Sequence, residues 1–184
     1  MNIALFLQMA AEACPDRPAL TYDGKHYTYA QLFSAAKRAA LYFSTGNCKF
    51  VCLLDTSSPA TPIALMGAAI AGIPYVPLNY RLSEEQITPL LDRISPAYLI
   101  SGPRNETYDF DGWVVQDSAD FLSDVLNGEE VEVTWHEDPS AVAVQLFTSG
   151  TTGIPKAALL RHEHLVSYIL GSVEFMGALE DEAA

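Results

Sequence analysis

Between Gln145 and Lys156 the chain reads Gln-Leu-Phe-Thr-Ser-Gly-Thr-Thr-Gly-Ile-Pro-Lys, a run whose residue types suit the binding of an anion. Gly150 and Gly153 let the backbone turn and come close to a ligand. Thr148, Ser149, Thr151 and Thr152 add hydroxyl donors, and amide N–H groups in such a loop can converge on phosphate oxygens. Lys156 supplies the cation, the first Lys or Arg after Arg104. The run is not a Walker loop, because no Gly-Lys-Ser/Thr closes it and Pro155 sits directly before the lysine. Nor does it hold the Gly-x-Gly of a dinucleotide fingerprint. Ser149 lacks the Gly-x-Ser-x-Gly elbow of a hydrolase, and His26, His136, His162 and His164 read as surface or capping groups rather than its partners.

Such a loop needs a scaffold to present it. The apolar run Ala141–Phe147 reads as a strand that delivers the loop, and a helix-like segment begins near His162, so the expected order is strand, loop, helix. Upstream, a first helix over Ile3–Ala13 ends at Cys14-Pro15, since the residue before a proline disfavours helix. Ala19–Tyr22 and His26–Thr28 flank Asp23-Gly24, a hairpin turn. Thr28 with Gln31 three positions on forms a capping box for a helix from Tyr29 to about Thr45. Phe50–Leu54 reads as a buried strand, Ala60–Ala71 as an Ala- and Gly-rich helix that packs closely, and Ser83-Glu84-Glu85-Gln86 as a capped helix start. A strand is expected at Ala97–Ile100, short strands at Trp113–Val115 and Val131–Trp135, and a helix from Ser118 to about Leu126 between those two. Alternating strands and helices with connections of this length argue for an α/β fold, a mostly parallel sheet flanked by helices with the loop at a strand's carboxyl end.

The loop also carries a resemblance. Thr-Ser-Gly-Thr-Thr-Gly-x-Pro-Lys resembles the signature loop of the adenylate-forming superfamily: acyl-CoA synthetases, luciferases and the adenylation domains of peptide synthetases. Tyr27-Thr28-Tyr29-Ala30-Gln31-Leu32 resembles an earlier stretch of that family. Ala71-Gly72-Ile73-Pro74-Tyr75-Val76-Pro77-Leu78 resembles its helix-Gly-strand segment, and the continuation Asn79-Tyr80-Arg81-Leu82 is more like acyl-CoA synthetases. Asn79 and Arg81 read as loop-anchoring groups. Ala157 stands where the family usually has Gly, which restricts the loop slightly, and His164 where it often has Asn; His162 matches as a structural position.

The resemblance implies that residues 1–184 are the N-terminal portion of a large AMP-binding domain, without the C-terminal domain. It implies a carboxylate, fatty or related, activated by ATP as an acyl-adenylate, with magnesium alongside the nucleotide and coenzyme A as the thiol acceptor. Thr148, Ser149, Gly150, Thr151, Thr152, Gly153 and Lys156 would contact phosphate, with Lys156 the catalytic cation; no metal ligand is named. The adenine-binding stretch, the Thr-Gly-Asp segment, the magnesium-associated glutamate and the adenylation lysine of that family are not among these residues. Leu179–Ala184 reads as the lead-in to a further strand, so the chain reads as a truncated piece of a ligase, inactive alone. The alternative is a noncatalytic nucleotide- or partner-binding remnant of the same family, which would bury its sheet edge by self-association.

Composition narrows the partners. The formal net charge is −13, and 11 acidic residues fall between Arg104 and Lys156 with no base among them. A surface of that sign repels a nucleic-acid backbone, and the acids read as a solvated face. Cys14, Cys48 and Cys52 form no Cys-x-x-Cys pair and read as reduced thiols of a cytoplasmic protein. Gly67, Gly72, Pro74 and Pro77 interrupt the longest apolar stretch, Ile63–Leu78, so no transmembrane segment is expected.

Overall fold

The computed structural model describes residues 1–102, 112–148 and 155–172. Its centre is a six-stranded sheet in the order β6-β5-β3-β4-β7-β8, with a separate two-stranded hairpin, β1-β2. The elements are α1 (Ala4–Ala13), β1 (Pro18–Tyr22), β2 (Lys25–Thr28), α2 (Tyr29–Thr45), β3 (Phe50–Leu54), α3 (Ala60–Ala71), β4 (Tyr75–Pro77), α4 (Glu84–Leu91), β5 (Ala97–Ser101), β6 (Val114–Asp117), α5 (Ser118–Asn127), β7 (Val142–Thr148), β8 (Lys156–Arg161) and α6 (His162–Ser172). A 3-10 turn, Asp92–Ile94, follows α4. Every neighbouring pair from β6 to β7 is parallel; β8 runs antiparallel to its partner, β7.

Local chemistry starts and stops these elements. Asp23 and Gly24 both take positive φ, 49° and 73°, as a tight hairpin demands. At the start of α2 the Gln31 amide donates to Thr28 Oγ1 at 3.2 Å while Gln31 Oε1 accepts from the Thr28 amide at 2.9 Å, the reciprocal capping box. Gln86 Oε1 accepts from the Ser83 amide at 3.1 Å before α4. Gly72 ends α3 at φ 73°, with its own amide donating back into the helix.

Because the central strands are buried on both faces, alternate residues feed two cores. Val51, Leu53, Tyr98 and Ile100 join α1, α2, α3 and α5 in the larger core. Cys52, Leu54, Ala97 and Leu99 meet Ile87, Leu91 and Ile94, from α4 and the turn after it, in the smaller one. Close packing on the larger side depends on small residues: a Cβ on Gly67 of α3 would lie 2.7 Å from Ala39 Cβ and 3.0 Å from the Ala36 carbonyl of α2. The same side holds a polar staple. Arg38, buried in α2, donates from Nε to the Val125 carbonyl at 2.5 Å and from Nη1 to the Glu129 carbonyl at 3.1 Å.

One reading of the sequence needs correction here. Residues 131–135 form no strand. Their burial alternates as in a strand, but Val133 and Trp135 pack on the larger core, and the segment's exit is fixed by the His136 amide donating to the Ile70 carbonyl of α3. Extended chain laid across helices shows the same period of two with no sheet partner. The described acids before β7 are exposed, as a solvated face requires, and Glu130 among them pairs with Lys37 Nζ at 2.6 Å. That hydrogen bond and the charge of Lys37 hold the Glu130 carboxyl below its usual range.

Candidate functional site

The sequence-predicted loop is delivered by the carboxyl end of β7, of which Thr148 is the last residue. It does not enter a helix. Lys156 begins β8, which doubles back on β7 with Thr148 opposite Lys156, Phe147 opposite Ala157 and Leu146 opposite Ala158. The helix expected near His162 begins there, at the far end of the hairpin. The order is therefore strand, loop, strand, helix, and the helix N-terminus that follows the loop stands away from it. The dipole of that helix is therefore not aimed at the loop. Ala157 lies in the ladder, opposite Phe147.

Of the predicted phosphate contacts, Thr148 and Lys156 are described, and they stand side by side at the loop end of the hairpin. Thr148 Oγ1 donates to the Lys156 carbonyl at 3.4 Å. Both residues are exposed, and among the described residues no carboxylate lies within ion-pair distance of Lys156. An ammonium so placed, beside a hydroxyl at the mouth of a Gly/Ser/Thr loop, fits a polyphosphate. Ser149, Gly150, Thr151, Thr152 and Gly153 lie outside the described residues, as does Leu179–Ala184. Among the described residues no group of three or more His, Cys, Asp and Glu is placed to hold a metal ion.

One residue at this mouth carries no signal in the sequence. Arg93, in the 3-10 turn after α4, donates from Nη1 to the Pro155 carbonyl at 2.6 Å, and its guanidinium lies 5.2 Å from the ring centre of Phe147. Asn79 and Arg81 are where anchoring groups belong: Asn79 Oδ1 accepts from the Arg81 amide at 3.0 Å, and Arg81 Nε donates to the Tyr80 hydroxyl at 3.1 Å.

The other end of the hairpin is closed by a buried knot. His162, 1% exposed, accepts from the Ile3 amide at Nδ1, 3.4 Å away, and its own amide donates to the Ala141 carbonyl. The Asn2 side chain donates to the carbonyls of Ala69 and His136 at 2.6 and 2.9 Å. His162 is thus a core residue rather than a surface or capping group. Burial, with His136 and the N-terminus nearby, lowers its pKa below the ordinary 6.5. Next to this knot a cavity of about 560 Å³ is lined by Met1, Asn2, Leu5, Gln8, Thr134, Trp135 and Glu137, none of them from the loop. Cys14, Cys48 and Cys52 are free thiols, and burial raises the pKa of Cys48 and Cys52 above the usual thiol range. Among the described residues no helix is long and apolar enough to cross a membrane.

A largely parallel sheet flanked by helices, with a Gly/Ser/Thr-rich stretch following the carboxyl end of one strand, defines an α/β fold. The chain belongs to the AMP-binding enzyme family, which matches residues 7–182. It is 30% identical over 183 residues to a plipastatin synthase of Bacillus subtilis, covering 97% of this chain and 7% of that one. It is also 30% identical over 206 residues to a medium/long-chain-fatty-acid–CoA/3-oxocholest-4-en-26-oate–CoA ligase of Mycolicibacterium smegmatis, covering 99% of this chain and 37% of the ligase. The structure of o-succinylbenzoate CoA synthetase from Bacillus subtilis superposes with a TM-score of 0.78 at 26% identity, over 95% of this chain and 37% of the other. The chain therefore spans well under half the length of these relatives, and its sheet matches the N-terminal domain of adenylate-forming enzymes.

Proposed function

We propose that this chain is the N-terminal, phosphate-loop-bearing part of an ATP-dependent acyl-CoA synthetase that activates a fatty or related carboxylic acid and acts in the cytoplasm. The observation that carries the reading is Lys156, without a carboxylate partner among the described residues and set against Thr148 at the mouth of the loop, in a chain that matches the family along almost its whole length. Support for the acid and the acceptor comes from the Asn79-Tyr80-Arg81-Leu82 string and from the similarity to a fatty-acid–CoA ligase. Three free thiols support a reducing compartment.

In this chemistry a carboxylate oxygen attacks the α-phosphorus of ATP, the bond to the bridging oxygen breaks, and pyrophosphate leaves with the electron pair. Lys156, with the hydroxyls of Thr148, Ser149, Thr151 and Thr152 and the amides of Gly150 and Gly153, would bind the β- and γ-phosphates, hold the chain in line and stabilise charge on the departing group. Both described members are exposed, so a ligand binds here by displacing water from them. Magnesium accompanies the nucleotide and offsets its charge; coenzyme A supplies the thiol that takes the acyl group.

A second reading has an observation behind it, the equal identity to a plipastatin synthase, which favours a peptide synthetase. The two separate in one assay on the full-length protein. Incubation with ATP, magnesium, coenzyme A and a panel of fatty and amino acids is expected to give a coenzyme A thioester of a fatty acid. Exchange of pyrophosphate driven by amino acids alone, with no thioester of coenzyme A, would favour the peptide-synthetase reading. Nucleotide binding with no acid-dependent exchange would leave the noncatalytic remnant.

A further inference from the structure

The loop leaves β7 after Thr148 and returns at Lys156, and a side chain from a third element joins its two ends. Phe147 is the residue before Thr148, and Pro155 is the residue before Lys156. Arg93 touches both, through its hydrogen bond to the Pro155 carbonyl and its guanidinium over the Phe147 ring. A planar guanidinium can stack on a ring and donate within its own plane at the same time, which an ammonium cannot. The root of Arg93 is rigid, because Leu91 and Ile94 on either side of it are fully buried in the smaller core, packed with Cys52, Leu54 and Leu99 from the central strands. Fixed core on one side and the loop's two ends on the other make this contact a brace.

We propose that Arg93 is a positioning residue that sets the width of the loop's mouth and so the placement of Thr148 and Lys156. This rests on reading the loop as a phosphate cradle. Arg93 acts through Phe147 and Pro155 and is assigned no contact with the nucleotide. Small displacements of a phosphate-binding group are costly in rate, which gives a brace of this kind its value.

The test uses the full-length protein with Arg93→Ala, Arg93→Lys, Phe147→Leu and the Arg93→Ala/Phe147→Leu double variant. Two readouts are taken: amide hydrogen exchange over residues 146–158, and the kcat and KM for ATP in acid-dependent pyrophosphate exchange. Loss of one charge-assisted bond at an exposed site is expected to speed amide exchange in Arg93→Ala by about fivefold, with residues 50–54 unaffected. KM for ATP is expected to rise by about the same factor while KM for the acid holds. Lysine should restore part of the effect, because it keeps a donor and loses the stack, and the double variant should lose less than the sum of the two single changes. Amide exchange left unchanged in Arg93→Ala, together with full rescue of KM by lysine, would make Arg93 a phosphate ligand and overturn the proposal. Unchanged amide exchange with KM within about twofold of the parent would overturn it as well. Should the unaltered protein show no pyrophosphate exchange with any acid, the functional reading fails on its own, and the amide exchange alone decides whether Arg93 braces the mouth.

Discussion

Leu99 and Leu159 are leucines in strands of one sheet, and they live under opposite conditions. Leu99 sits in β5, parallel to both neighbours, and is fully buried in the smaller core. Leu159 sits in β8, antiparallel at the sheet's edge, and is 49% exposed. The centre is held by apolar contact on both faces. The edge is held by the ladder to β7, by Arg93 at its loop end and by the His162 knot at the other end. The exposed strand β8, beside the candidate chemistry, thus buries far less apolar surface than the central strands, as expected of a segment that must accommodate a ligand.

That contrast is open to measurement. Leu99→Ala is expected to cost about 3 kcal/mol in chemical denaturation, the usual result of emptying a leucine-sized volume in a core that cannot collapse around it. Leu159→Ala should cost under about 0.5 kcal/mol. Equal costs would erase the distinction between centre and edge. Gly67→Ala sharpens the picture of the helical layer. Alanine gains about 1 kcal/mol of helix propensity over glycine. The added methyl would sit 2.7 Å from Ala39 Cβ, and overpacking of that kind typically costs about 1–3 kcal/mol, so net destabilisation is expected in the same titration. A stabilised Gly67→Ala variant would show that α2 and α3 can separate freely.

The His162 end of the hairpin is expected to weaken with acid. Burial lowers the pKa of His162, so the folded chain resists a proton that the unfolded chain accepts below about 6.5. The contribution is full above that value and lost as pH falls through it. Unfolding free energy should therefore drop as pH falls below about 7.5, and the protection factor of the Ile3 amide, corrected for base-catalysed intrinsic exchange, should fall with it. His162→Gln should flatten the drop. A slope identical in parent and variant would remove His162 from the knot's pH response.

Much of the scaffold was legible because it is locally encoded. Phe50–Leu54 and Ala60–Ala71 stand where the apolar run and the Ala-rich stretch between Pro59 and Gly72 place them. Thr28 and Gln31 announce their capping box by type and spacing alone. What escaped was set by partners distant in sequence. Lys-Ala-Ala-Leu-Leu-Arg has no β-branched or aromatic residue and reads poorly as a strand, yet β7 supplies a ladder that overrides its propensity. Val131–Trp135 has the opposite fault, a strand-like alternation with no sheet edge to join. At the candidate site Lys156 and Thr148 could be named from motif chemistry, whereas Arg93 lies 62 residues from the carbonyl it holds and follows no pattern that spacing could reveal.

The central claim is that Lys156 binds the charge that builds on pyrophosphate as it leaves. Carboxylate-dependent ATP–pyrophosphate exchange by the full-length protein, parent against Lys156→Ala, tests it most directly. Removal of one preorganised donor of this kind is expected to slow exchange by about 10²-fold, with the folded-state stability unchanged. Exchange at the parental rate in Lys156→Ala would contradict the assignment.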